Sequence, residues 1–153
     1  MTTIIWDGTH FAADRCAING SQKSEVQKLH RLGSGGFCAF SGDLGPGLMM
    51  LDWYQSPVGL TQYPECQKTD NWARLVVVLK SGQVLVYENY PASMTFLDSF
   101  GAWGSGAQYA LGALAGGCTV GQAMEIACRF DPSSGIAYDI VDLRNGEMKE
   151  VRL

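Results

Sequence analysis

Turn dipeptides constrain this chain more than any other feature. Asp7-Gly8, Ser81-Gly82 and Asn145-Gly146 each sit between two stretches rich in apolar or β-branched residues, the pattern of strands joined by tight hairpins. Hairpins pair strands antiparallel, whereas parallel pairing needs a crossover of a dozen or more residues. The turns therefore exclude most βαβ arrangements and point to antiparallel sheets.

The first hairpin covers residues 2–15. With Asp7-Gly8 as its turn Thr2 faces Ala13, and with Gly8-Thr9 as its turn Thr3 faces Asp14. Either register puts Asp14 within one residue of the position opposite Thr2. Ile18 to Glu25 is polar with a glycine and reads as a loop. Val26 to Leu32 reads as a strand whose alternation places Val26, Lys28 and His30 on one face. Gly33-Ser34-Gly35-Gly36 is a turn, without the Gly-Lys-Ser/Thr ending of a phosphate loop. A strand over Phe37 to Ser41 ends at Gly42, and Asp43 is placed to cap a helix over Leu44 to Tyr54. Pro46 suits the first turn of that helix, and Leu44 and Leu48 are expected to face the sheet.

Gln55 to Asn71, with Pro57, Gly59 and Pro64, has no clear period and reads as a loop or short helix. Ala73 to Leu79 and Gln83 to Glu88 are strands, and Tyr90 to Trp103 holds short strand pieces. Helices follow over Ala107 to Ala115 and Thr119 to Phe130, broken at Gly116-Gly117. The second repeats Val120, Ala123, Met124, Ala127 and Cys128 on one side behind a Thr119 cap. A last hairpin joins Ile136 to Leu143 with Glu147 to Leu153. Strands, helix, strands, two helices and strands make an α+β layered domain. At 153 residues the chain is expected to form a single domain, 1–153.

Composition removes several function classes. The net charge of −4, from 11 basic and 15 acidic residues without long blocks, offers no basic stripe for nucleic acid. No run approaches the roughly 20 apolar residues of a membrane span, and no basic-then-apolar leader opens the sequence. A cytoplasmic protein is expected, without membrane partners. Cys16, Cys38, Cys66, Cys118 and Cys128 never form a CxxC pair and read as reduced, buried small hydrophobes. His10 and His30 lack neighbours at metal-ligand spacing, so neither a metal nor a cofactor is expected.

Thr2 carries the chemical possibility. Once Met1 is removed, its hydroxyl is a nucleophile and its own free amine, with an unperturbed pKa of about 7.7–8.0, is a base near working pH. Singly, the other polar residues have ordinary explanations. Asp14 with Lys28 could be a surface ion pair, Ser105 a helix cap, and Asp131 before Pro132 a turn former. A Ser-His-Asp hydrolase lacks its Gly-x-Ser-x-Gly elbow. Cys16, beside Arg15, reads as packing rather than as an activated thiol.

Taken in order, Thr2-Thr3-Ile4, Ala12-Ala13-Asp14-Arg15, Lys28 within Val26 to Leu32, Ser41-Gly42 before a helix, Gly104-Ser105-Gly106 before another, and Asp131-x-x-Ser134-Gly135 resemble proteasome β-type subunits. Within that family the chain is most similar to HslV-type peptidases and their short phage and bacterial relatives. The resemblance covers nearly the whole chain, although the first hairpin and the loop before Lys28 are shorter than in the longer subunits and the carboxyl end is trimmed. It implies an Ntn-hydrolase fold, a four-layer αββα sandwich of two antiparallel sheets flanked by helices.

The resemblance further implies Thr2 as nucleophile and its amine as base, acting through a water. Lys28, paired with Asp14, favours the ionised hydroxyl. The Gly42 N–H serves as oxyanion donor, while Ser105, Asp131 and Ser134 hold the amine and the water. The family's substrate pocket maps to Ala17, Val26, His30, Phe40, Leu44 and Leu48, mostly apolar, which implies cleavage after apolar or aromatic residues. It also implies a homo-oligomeric ring acting on peptides or unfolded proteins, and leaves open a ring ATPase unfoldase as partner. A catalytically silent ring subunit and an amidase of the same fold acting on a small molecule are the alternatives.

Overall fold

The computed structural model describes residues 1–56, 63–64 and 72–153. Among these the chain is α+β, with three helices and three antiparallel sheets. Most of the expected loop at Gln55 to Asn71, and Cys66, lie outside the described residues. Two compact units emerge, Met1–Leu29 with Asp98–Leu153, and His30–Leu97. Each is described by itself.

In the first unit, β1 (Thr3–Trp6), β2 (His10–Asp14), β10 (Gly101–Gly104), β11 (Ala137–Asp142) and β12 (Glu147–Arg152) form one sheet in the order β10-β1-β2-β11-β12. Ile4 pairs with Ala13 and Trp6 with Phe11, which selects the register with Thr3 opposite Asp14. The turn is built by the Asp7 side chain, whose Oδ1 accepts the Thr9 and His10 N–H groups at 2.9 and 2.7 Å. Gly8 takes the φ of 88° that this reversal needs.

Helices α2 (Ala107–Ala115) and α3 (Val120–Phe130) cover one face of this sheet. Ile5, Ala12, Tyr138 and Ile140 meet Ala110, Val120, Ala123, Met124 and Ala127 in a single apolar cluster. The alanines on both sides let helix and sheet approach closely, and each fully buried Ile or Met contributes about 1.5–3 kcal/mol of burial. Residues of the opposite face, Ile4, Phe11, Ala13 and Val141, are equally buried. At the start of α3 the Thr119 hydroxyl accepts the Gln122 N–H while the Gln122 side chain accepts the Thr119 N–H at 2.9 Å. This capping box fixes where the helix begins, and the helix ends at Asp131, whose N–H donates to the Ala127 carbonyl.

The loop expected over Ile18 to Glu25 is instead a hairpin. β3 (Cys16–Asn19) pairs with β4 (Gln22–Glu25) through Cys16↔Glu25 to Asn19↔Gln22. Its residues beyond Ala17 are mostly exposed, so no apolar alternation marks it, and Gly20 at φ 61° makes the reversal. The strand expected over Val26 to Leu32 shrinks to β5 (Leu29–Arg31).

In the second unit, β5, β6 (Phe37–Gly42), β7 (Ala73–Val78), β8 (Val84–Tyr87) and β9 (Met94–Phe96) form a sheet in sequence order. Helix α1 (Leu44–Gln55) packs on β6 and β7. Leu44 and Leu48 do not face the sheet as expected; they are 40% and 45% exposed, while Pro46, Gly47, Met50 and Leu51 are buried. The reason is Gly47, which lies so close to the Phe40 ring that a Cβ would collide with it. Asp43 sits at the cap position, yet its carboxylate accepts the Trp72 N–H at 2.9 Å rather than capping the helix. No helix among the described residues is long and apolar enough to cross a membrane.

Replacing Thr119 by Ala breaks the capping box. The expected loss is about 1 kcal/mol, read as a lower urea midpoint at an unchanged m-value.

Candidate active site

The end of β2 delivers Asp14 into a fully enclosed position. Its Oδ1 accepts the Thr3 N–H at 2.8 Å and its Oδ2 the Cys16 N–H at 2.9 Å. The segment between β4 and β5 leaves the sheet ladder and turns Lys28 inward, to 3% exposure. Lys28 Nζ lies 3.3 and 3.5 Å from the two Asp14 oxygens and also donates to the carbonyls of Cys16 and Met1, the latter at 3.1 Å. One ammonium thereby meets four acceptors from three residues, Met1, Asp14 and Cys16.

Burial lowers the Lys28 pKa, with the Asp14 charge opposing the shift. Burial likewise raises that of Asp14, against the pull of Lys28 and the two N–H donors. Pairing is what makes both charges tolerable there.

A second polar group is built around Asp131, at the carboxyl end of α3. Its Oδ2 accepts the hydroxyls of Ser105 and Ser134, both at 2.6 Å, and its Oδ1 the Ser133 N–H at 3.1 Å. Ser105 reaches the nucleophile candidate directly, since its N–H donates to the Thr2 carbonyl at 2.8 Å. Thr2 is 1% exposed, whereas Met1 before it is 61% exposed. The turn carrying Ser134 runs into Gly135 at φ 128° and Ile136 at φ 68°. For a β-branched residue this left-handed conformation is strained, by of order 1–3 kcal/mol.

Of the residues singled out in the sequence, Thr2, Asp14, Lys28, Ser105, Asp131 and Ser134 are thus gathered in the first unit. Gly42 belongs to the second unit, at φ 103° where β6 ends; a Cβ there would collide with the Trp72 carbonyl. The pocket candidates divide between the units. Ala17 and Val26 are half-buried in the first. In the second, His30 stacks on Phe40 at 6.3 Å, and Phe40 is core beneath α1.

Two residues escaped the sequence reading. Thr3, fully buried, contacts both polar groups, and the hairpin register that puts it opposite Asp14 was the available signal. Gly106 has no side chain because a Cβ there would collide with Thr3 Oγ1 and press on Asp131. Arg15, next to Asp14, binds outward to Glu25, Asp139 and Glu150 and anchors the end of β2. Among the described residues no cluster of three or more His, Cys, Asp or Glu side chains could hold a metal ion.

No protein-family model matches the sequence, and no curated protein matches it either. The chemistry of the site is therefore read from its own geometry. The lysine–carboxylate pair holds the backbone on either side of Thr2, through the Met1 carbonyl and the Thr3 N–H, and the Asp131 group reaches the Thr2 carbonyl through Ser105.

Replacing Lys28 by Met leaves the Asp14 carboxylate buried with two N–H donors and no cation. The expected cost is about 3 kcal/mol in urea unfolding, since removing one partner of a buried pair strands the other.

Proposed function

We propose that the chain is a threonine-type peptidase of the proteasome β-subunit kind, using Thr2 as an amino-terminal nucleophile after Met1 is removed. The observation that carries this reading is the convergence on residues 1–3 of Lys28 with Asp14 from one side and of Ser105, Asp131 and Ser134 from the other. Surface pairs and helix caps, the ordinary explanations of these residues, do not account for it, because Asp14, Lys28, Asp131 and Ser134 are all buried.

In this reading the Thr2 hydroxyl oxygen attacks the substrate carbonyl carbon while its proton passes to the Thr2 α-amine. A backbone N–H is the oxyanion donor. Collapse breaks the C–N bond, the leaving amine takes the proton, and the acyl group stays on Thr2 as an ester. Water, deprotonated by the same amine, then cleaves the ester to a carboxylic acid and restores Thr2. Lys28 favours the ionised hydroxyl by its charge, and Asp14 keeps that charge in place.

The same reading includes the four-layer αββα sandwich. Its support is that each five-stranded sheet carries its helices on one face and still buries its other face. It also includes a homo-oligomeric ring in the cytoplasm that cleaves peptides or unfolded chains after apolar or aromatic residues. A ring ATPase would be the partner that unfolds folded substrates for it.

Intact mass tests the first requirement, since a chain that keeps Met1 has no free Thr2 amine. With Met1 gone, an electrophilic threonine-directed inhibitor is expected to add to Thr2. Thr2→Ala is expected to lose peptide cleavage by at least about 10³-fold with folding unchanged; full residual activity overturns the mechanism, and an absent adduct favours a silent ring subunit.

The pH dependence has a definite sign. A protonated amine accepts no proton, so kcat/KM rises with pH through a value near about 8. A neutral Lys28 no longer favours the ionised hydroxyl, so activity falls again at high pH. Because burial lowers the Lys28 pKa, that descent is expected below the ordinary lysine range in a profile measured on a fluorogenic peptide.

A further inference from the structure

Thr3 touches both polar groups of the site, one through its backbone and the other through its side chain. Its N–H donates to Asp14 Oδ1 at 2.8 Å, and its hydroxyl lies 2.7 Å from that of Ser134. It is fully buried, and the space its hydroxyl occupies exists because residue 106 is glycine. The direction of the hydroxyl pair follows from proton inventory. Ser134 spends its single hydrogen on Asp131 Oδ2 at 2.6 Å, so between the two hydroxyls Thr3 must be the donor. A one-way chain results, from Thr3 to Ser134 to Asp131, with Ser105 entering the same carboxylate oxygen.

Two consequences follow. Donation from Thr3 fixes the Ser134 rotamer, and through it the Asp131 carboxylate, whose other hydroxyl partner, Ser105, gives its N–H to the Thr2 carbonyl. Meanwhile the Thr3 N–H ties the peptide just after Thr2 to Asp14, and so to the Lys28 ammonium. A valine here keeps the backbone bond and the shape but removes the donor. Ser134 then loses its orienting partner in a buried place.

We propose that Thr3 is a positioning residue, whose hydroxyl sets the direction of the Ser134–Asp131–Ser105 network and whose backbone couples that network to the Asp14–Lys28 pair around Thr2. This rests on the reading of Thr2 as nucleophile. Thr3 touches no substrate in this scheme and acts only through its neighbours.

The test uses the Met1-free protein, confirmed by intact mass, with Thr3→Val and Thr3→Ser. Thr3→Val is expected to lower kcat about tenfold with KM unchanged, since misplacing a reacting group by a fraction of an ångström acts on the chemical step. Thr3→Ser, which keeps the donor, is expected to stay within about threefold of the parent. The loss should nearly vanish in a Ser134→Ala background, because the two hydroxyls act as one unit; that cycle also serves if Thr3→Val folds poorly, using Thr3→Ala in its place.

A substrate-free readout separates this proposal from the peptidase reading. The Thr2 α-amine is titrated by NMR in each variant, and misorienting the Ser134–Asp131–Ser105 network is expected to shift that titration in Thr3→Val and not in Thr3→Ser. An unchanged amine titration overturns the role of Thr3 whether or not the parent cleaves peptides, and in a parent that cleaves, full additivity with Ser134→Ala does so as well. A parent that neither cleaves nor labels, with the titration shift still present, overturns the peptidase reading and leaves the Thr3 network standing.

Discussion

The Asp14 carboxylate is the group on which the site depends. It sits without solvent contact at the end of β2 and is made tolerable by two backbone N–H groups and one lysine. Each of those donors comes from a different piece of chain, namely the start of β1, the start of β3 and the segment before β5. A buried carboxylate that must collect its donors therefore dictates where three segments meet. The short first hairpin, the departure of residues 27–28 from the ladder and the enclosure of Lys28 all serve that one requirement.

Much of the architecture was legible because its signals are local. Tight turns at glycine pairs, apolar repeats on α3 and a threonine cap are written within a few residues, and the elements from Ala73 to Leu153 fall close to where their patterns place them. What was not legible depends on contacts between distant residues. The β3–β4 hairpin is exposed over most of its length and carries no apolar alternation. Helix α1 turns Leu44 and Leu48 outward because one glycine must lie against Phe40, a fact that helical spacing alone does not contain.

The site divides in the same way. Residues read by their order along the chain, from Thr2 to Ser134, do come together where the first unit is concerned. Thr3 went unread as a site residue because a threonine beside the candidate nucleophile looks like an ordinary strand residue. Its importance lies in a hydroxyl contact across 131 positions of sequence. Gly106 is a similar case, since its meaning is the volume it leaves to another residue's oxygen.

The backbone at Ile136 carries a consequence of its own. Isoleucine does not choose a φ of 68°, so the turn behind Ser134 is held by its surroundings, through Leu153 N–H to the Ile136 carbonyl and Arg15 N–H to the Ala137 carbonyl. The first of these clamps comes from Leu153, just past the edge strand β12. Fraying of that edge would free the turn to relax toward its own preference and carry the Ser134 hydroxyl away from Asp131. Leu153 thereby acts as a latch on a network built around residues 1–3.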